Sequence, residues 1–302
     1  MRRHAIAIAF LTAFVLAGCA TPHETVRVPL PVTQTAVAHV DTPSGADDNL
    51  NAVLWVQASA EYDAAALSAY HAAAARLDAA LADPSWDALA PGERDDAGVP
   101  ATLPPAVILD VDETVLDNSP YQARLVRRGT QYDEATWASW VDERVARPVP
   151  GVLDFARAAT ARGITLVYLS NRTETLQDAT LDNLRAVGLP VKDASVFLGK
   201  GTPGCESAGS AKDCRRRLVA ADYRVLMQFG DQLGDFVAVH DDTPAARQAL
   251  VERHAGWFGD RWWMLPNPTY GGWEPAVFDN DWRLPLEARR AAKRAALDTG
   301  GR

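Results

Sequence analysis

In the stretch AVILDVDETVLDNSPY, Ala106 to Tyr121, an apolar run ends in two aspartates, Asp110 and Asp112, one residue apart. A short aliphatic run of this kind reads as a buried strand, so both carboxylates are delivered to its carboxyl end. Two like charges side by side are costly to bury unless a cation or a proton resolves the repulsion. The pair therefore implies a divalent metal or a protonated partner. An isolated D-x-D is most often a solvated turn, and a calcium loop fails on its own pattern. Asp110, Asp112 and Thr114 suit positions 1, 3 and 5 of such a loop, but Val115 stands where Gly is needed and Tyr121 where Glu is needed.

Three further segments offer groups of the same kind. ITLVYLSNR delivers Ser170, Asn171 and Arg172; SAKDCRRR supplies Lys212 near a helix start; YRVLMQFGDQLGDF delivers Asp231 and Asp235. Taken singly, these read as a cap, a surface charge and a Gly-Asp turn. In this order, the Ser and Asp groups at the ends of apolar runs and the lysine near a helix start, they form one chemically coherent set.

The elements that must position them follow from the texture after Ala106. AVILD, ITLVYLS, ASVFLG, YRVLMQFGD and FVAVHDD read as strands, with helical candidates at GVLDFARAATARG, TETLQDATLDNLRAVG and AKDCRRRLVAAD. That alternation predicts an α/β fold, a parallel sheet covered by helices on both faces, with ligands beyond the carboxyl ends of the strands. Upstream, the alanine-rich residues 49–83 carry the helical period of one long helix or a helix pair, stopped before Pro84. Residues 84–105 read as a Pro/Gly-rich connector, and His240-Asp241-Asp242 as a helix-start turn at a strand end, with no chemistry assigned.

These blocks resemble the haloacid dehalogenase superfamily of phosphohydrolases, whose motifs are D-x-D, a strand-end Ser/Thr, a Lys and an acidic pair. They resemble most closely its class C (subclass IIIB) acid phosphatases and 5′-nucleotidases, bacterial outer-membrane lipoproteins. NAVLWVQASAEY, DVDETVLDNSPY, LSNR, GDQLGDF and NPTYGGWEPAV are all similar to that family, over most of residues 49–277. The resemblance implies a Rossmann-like haloacid dehalogenase fold over residues 49–297. This comprises a helical extension (49–83), a catalytic core (106–260), a C-terminal loop and helix (261–297), and a small helical or loop cap.

The resemblance also implies roles. Asp110 would be the nucleophile and Asp112 a general acid and base that starts protonated, so that activity is expected at mildly acid pH. Mg2+ would be held by the Asp110 carboxylate, the Asp112 backbone carbonyl and Asp231, while Asp235 would ligate through water or orient Lys212. Ser170, Asn171 and Lys212 would bind the phosphoryl oxygens, with Lys200 a rival for the lysine role. Trp137 and Tyr270, drawn from an aromatic set that includes Tyr132, Trp140 and Trp273, would stack on the substrate ring; for any one ring, core packing is the competing reading. Small phosphorylated substrates such as nucleoside monophosphates, nicotinamide mononucleotide and aryl phosphates would follow. Phosphotransfer through the same intermediate and a non-catalytic surface-binding lipoprotein are the alternatives.

The chain has 302 residues and a formal charge of −9, which becomes −11 if residues 1–18, with Arg2 and Arg3, are removed. A nucleic-acid polymer is a poor partner for so acidic a chain. Residues 1–18 read as a secretory signal, and LAGC resembles a lipobox that would lipidate Cys19, tethering an exported protein to a membrane, the outer one by family, through a flexible segment 19–48. In an oxidising compartment Cys205 and Cys214 could pair or stay as isolated thiols. Self-association as a homodimer stays open.

Overall fold

The computed structural model describes residues 44–94 and 102–300. The signal segment 1–18, Cys19 and most of the tether lie outside the described residues.

Seven strands occur among those residues: β1 (Pro105–Leu109), β2 (Leu116–Asp117), β3 (Arg147–Pro148), β4 (Thr165–Thr173), β5 (Phe197–Lys200), β6 (Arg224–Gly230) and β7 (Trp262–Met264). Five form a parallel sheet in the order β5-β4-β1-β6-β7, and β2 and β3 make a small antiparallel pair. The chain runs outward from β1 through β4 and β5, then crosses back to β6 and β7. That reversal opens a crevice at the carboxyl end of β1, where open α/β sheets bind ligands.

The helices are α1 (Leu50–Ala58), α2 (Ala60–Ala82), α3 (Ser119–Arg128), α4 (Glu134–Glu143), α5 (Val152–Thr160), α6 (Gln177–Ala186), α7 (Asp213–Asp222), α8 (Pro244–Arg253) and α9 (Leu286–Ala295). The upstream segment is a helix pair. Ser59 breaks it with extended backbone, and its hydroxyl accepts the Tyr62 amide at 3.1 Å to cap α2. The short insertion that follows β2 supplies α3 and α4, the expected small cap.

One sheet face is covered by α2 and α5. Tyr70 of α2 stacks on Phe229 of β6 at 5.1 Å, and Phe155 of α5 meets Phe229 at 4.6 Å. Burying one such ring contributes roughly 1.5–3 kcal/mol. The Tyr70 hydroxyl is not left unpaired; it donates to the Thr114 carbonyl at 2.7 Å, in the turn that carries Asp112. The connector is shared between the faces: Trp86 packs on the α2 side and donates its indole N–H to the Leu226 carbonyl at 2.7 Å, while residues 88–90 cover the other face, where Trp262 donates to the Ala88 carbonyl at 2.7 Å.

Three sequence expectations change. FVAVHDD is not a strand, because it begins six residues after Gly230 ends β6, and a parallel neighbour needs a crossover of about a dozen residues or more. Only the start of the run is useful to the core: Phe236 packs against Phe258 and Trp262, and the rest turns into α8, capped by Thr243. The fifth strand is β7, which places the edge of the sheet beyond the expected core limit at residue 260. The tether also ends earlier than residue 48: Gly45–Asn49 forms a 3-10 turn, with Ala46 buried and Asp48 paired with Arg290 of α9 at 2.8 Å.

Candidate active site

Asp110 follows the last residue of β1, and its amide donates to the Phe229 carbonyl of β6 at 2.9 Å, so the sheet fixes the backbone that carries it. Its buried carboxylate accepts from Lys212, which also donates to Asp235 at 2.6 Å. Lys212 is the N-cap residue of α7, and the Cys205–Cys214 disulfide ties the preceding loop to the first turn of that helix. Lys200, the rival, lies on the edge strand β5 in register with Thr173. Of the two lysines, Lys212 is therefore the one joined to Asp110.

Asp112 is held separately. Arg172, buried at the end of β4, donates to it from Nη2 at 2.8 Å and from Nε at 3.0 Å. Asn118 adds a bond at 2.9 Å, and the Ser170 hydroxyl approaches at 3.4 Å. The repulsion in D-x-D, expected to be resolved by magnesium and a proton, is thus met first by two protein cations, Lys212 on one aspartate and Arg172 on the other.

Asp231 follows β6 and accepts from Asn267 at 2.7 Å and Gln232 at 2.8 Å. Asp235 folds back over Gly230, where a Cβ would sit only 2.3 Å from its side chain, so the residue before Asp231 must be glycine. Carboxylate oxygens of Asp110, Asp231 and Asp235 lie within 4.8 Å of one another. Burial, then the neighbouring Asp235, pushes Asp231 up to about 8. Asp110 is raised well above the usual carboxylate range by burial, against the pull of Lys212. Three crowded acids that offer only hard oxygen donors suit a divalent cation. Haloacid dehalogenase phosphatases generally use such a metal.

Ser170 is fully buried, and its Oγ accepts the Arg172 amide at 3.0 Å. Asn171 is exposed at the site, its Oδ1 accepting from Arg215 at 2.7 Å; Arg215, buried in α7, also donates to the Ser170 carbonyl. One helix thus carries both Lys212 and the guanidinium that holds the Ser170–Asn171 turn.

A cavity of about 970 Å³ opens beside this cluster, lined by Asp112, Asn171 and Arg172 on one side and by Tyr132, Trp137, Tyr270 and Trp273 on others. Trp137 and Tyr270 both face it, as Trp140 does not: that ring is buried and donates to Asn118 at 2.8 Å. Trp137 also lies 5.5 Å from the Arg172 guanidinium. The Tyr270 hydroxyl donates to Glu113, whose backbone is left-handed (φ 57°) and whose carboxyl burial pushes up to about 8. A strained non-glycine residue inside the D-x-D turn is common at functional sites.

Sequence reasoning gave Arg172, Arg215, Asn118 and Asn267 no role. Arg172 stood in view, directly after Ser170 and Asn171, but a strand-end arginine carries no sign of which carboxylate it meets. Asn118 and Asn267 lay within the blocks DNSPY and NPTYGG, where only their neighbours were interpreted.

The family model described as HAD superfamily, subfamily IIIB (acid phosphatase), matches residues 18–273. The class C acid phosphatase from Bacillus anthracis superposes with a TM-score of 0.72 at 32% identity, covering 85% of this chain and 99% of that one. The same phosphatase with tungstate bound gives 0.71 at 32% identity, covering 84% and 98%. Vegetative storage protein 1 of Arabidopsis thaliana is 27% identical over 164 residues, 54% of either chain. Acid phosphatase 1 of Solanum lycopersicum is 26% identical over 131 residues, 43% of this chain and 51% of the relative. The chain spans about half the length of the curated relatives it matches. A family match over most of its residues, on a fold shared with a class C acid phosphatase, establishes that the chain belongs to the haloacid dehalogenase superfamily, subfamily IIIB.

Proposed function

We propose that the protein is a magnesium-dependent acid phosphatase that hydrolyses small phosphate monoesters, including nucleoside monophosphates, nicotinamide mononucleotide and aryl phosphates, through an aspartyl-phosphate intermediate. The observation that carries this reading is the division of the D-x-D pair: Asp110 is bonded to Lys212 beside two further acids, and Asp112 is held apart by Arg172.

In this reading Asp110 attacks phosphorus in line, and the ester P–O bond breaks as Asp112 gives its proton to the leaving oxygen. Asp112 then takes a proton from the water that attacks the aspartyl-phosphate, releasing phosphate and restoring Asp110. Lys212 offsets charge on Asp110 and on the phosphoryl group, while Ser170 and Asn171 hold its oxygens. Asp110, Asp231 and the Asp112 carbonyl would hold Mg2+, which when bound supplies fixed positive charge at the phosphoryl oxygens. Asp235 keeps Lys212 in place. Tungstate, a tetrahedral oxyanion like phosphate, is bound by the Bacillus anthracis relative, which supports a phosphate site here.

Hydrolysis of p-nitrophenyl phosphate or nucleoside monophosphates at mildly acid pH, with magnesium and with the ion removed by chelation, is the direct test. Turnover that depends on the ion is expected. No turnover on any ester would overturn the reading, and a rate climbing steadily from about pH 5 to about pH 9 would overturn the role given to a protonated Asp112.

Export and lipidation at Cys19 belong to the same proposal, supported by the Cys205–Cys214 disulfide, since such bonds persist in oxidising compartments. A Cys19→Ser chain should lose incorporated fatty acid and leave the membrane fraction; unchanged labelling would exclude it.

A further inference from the structure

The cavity beside Asp112 is near the upper end of the range that small-molecule sites enclose, about 300–1,000 Å³. It has room for more than a phosphoryl group and one ring. Part of its wall comes from Glu274, Trp282, Arg289 and Lys293, all past the segment matched by the family model.

The charges on the cavity wall are unevenly compensated. Among the acids, Asp112 is paired with Arg172, Asp48 with Arg290 and Glu274 with Lys293. Arg289 is the lining cation with no carboxylate partner among the described residues. Its Nε is buried without a hydrogen-bond partner, and its guanidinium carbon lies 5.3 Å from the centroid of the half-exposed Trp282 ring. Arg289 and Lys293 are four residues apart on α9 and so share one helix face. In a chain with a formal charge of −9, an uncompensated guanidinium in a ring-lined cavity is a local exception. Guanidinium groups bind carboxylate and phosphate through two parallel bonds.

We propose that Arg289, with Trp282 beneath it, is an anion subsite for a second charged group on the leaving-group side of the substrate. The preferred substrates are phosphate monoesters whose leaving group carries another phosphate or a carboxylate. This rests on the phosphatase reading: the scissile phosphate occupies the Asp110 cluster, and the second anion reaches Arg289 through the same cavity.

Three ester series of graded chain length test it on the full protein with magnesium: α,ω-alkanediol bisphosphates, ω-carboxyalkyl phosphates and ω-hydroxyalkyl phosphates. At the best length, kcat/KM for an anion-tailed ester should exceed that of the matched hydroxyl ester by about tenfold, the size of one charge-assisted contact. The series that shows the preference says whether the second group is phosphate or carboxylate. Arg289→Gln should bring the ratio to about one, and Arg289→Glu should invert it. A preference that survives both substitutions, or a ratio that never rises at any length while hydroxyl esters turn over, overturns the subsite alone. Failure to hydrolyse any ester overturns the phosphatase reading, and the subsite with it.

Discussion

The two ends of the candidate site are built on different rules. At the carboxyl end of β1 the charges are buried and matched: Lys212 bridges Asp110 and Asp235, and Arg172 grips Asp112. The cavity beside it is lined by rings from α4 and the 270–282 loop, several of them half-exposed, and closed partly by α9. The first arrangement is placed by a sheet and tolerates little displacement, because each group is the counter-charge of another. The second is placed by cap and loop residues whose contacts are mostly ring faces, which accept many partners. Changes at the first end should therefore act on kcat and on stability, and changes at the second on KM.

The sharpest way to break that contrast is Asp110→Asn, which removes the nucleophile but keeps the shape; kcat should fall by on the order of 10⁴-fold or more, with substrate still bound in equilibrium measurements. Next is Lys212→Met, which strands two buried acids. It should lower kcat by about 10²–10³-fold and cost about 3–5 kcal/mol in denaturant unfolding, the usual penalty of halving a buried ion pair. Arg172→Ala should reduce kcat by about 10–100-fold through a loosened Asp112, and added guanidinium should recover part of it; a change confined to KM would contradict the positioning role.

On the other side, Trp137→Ala should raise KM for ring-bearing substrates by about tenfold, the worth of one stacked base, with little change in kcat. Outside both regions lies the smallest effect. His254 is buried against Trp257 and Trp262, and burial depresses its proton affinity. The unfolded chain then takes up a proton near pH 6.5 that the folded chain resists, so its contribution is full above about 6.5 and declines as pH falls below it. A His254→Phe variant should flatten that limb of Tm against pH. An unchanged slope would assign the acid sensitivity elsewhere.

How much of this was legible in the sequence depends on how local the cause is. The β1 pattern and its two aspartates could be read because a strand fixes its own direction and its last residues mark the ligand edge. Gly230 could be seen but not understood, since its reason is the Asp235 side chain lying across it. FVAVHDD misled because composition favours a strand there while the short connection forbids one. Trp262–Met264 was passed over because three residues carry too little pattern, although their neighbours make them the sheet edge. Arg172 and Arg215 were illegible for the opposite reason: their partners lie about forty residues or more away, and only folding pairs them.

Tyr70 has a bearing on how the protein can be divided. It sits four decades of sequence upstream of the turn it supports, yet its ring is a floor for Phe229 and its hydroxyl holds the Thr114 carbonyl. A fragment cut to begin at β1 would keep all four motifs and lose this brace. The smallest autonomous unit is accordingly larger than the motif map suggests, and the alanine-rich helix that resembles a stalk behaves as a keel.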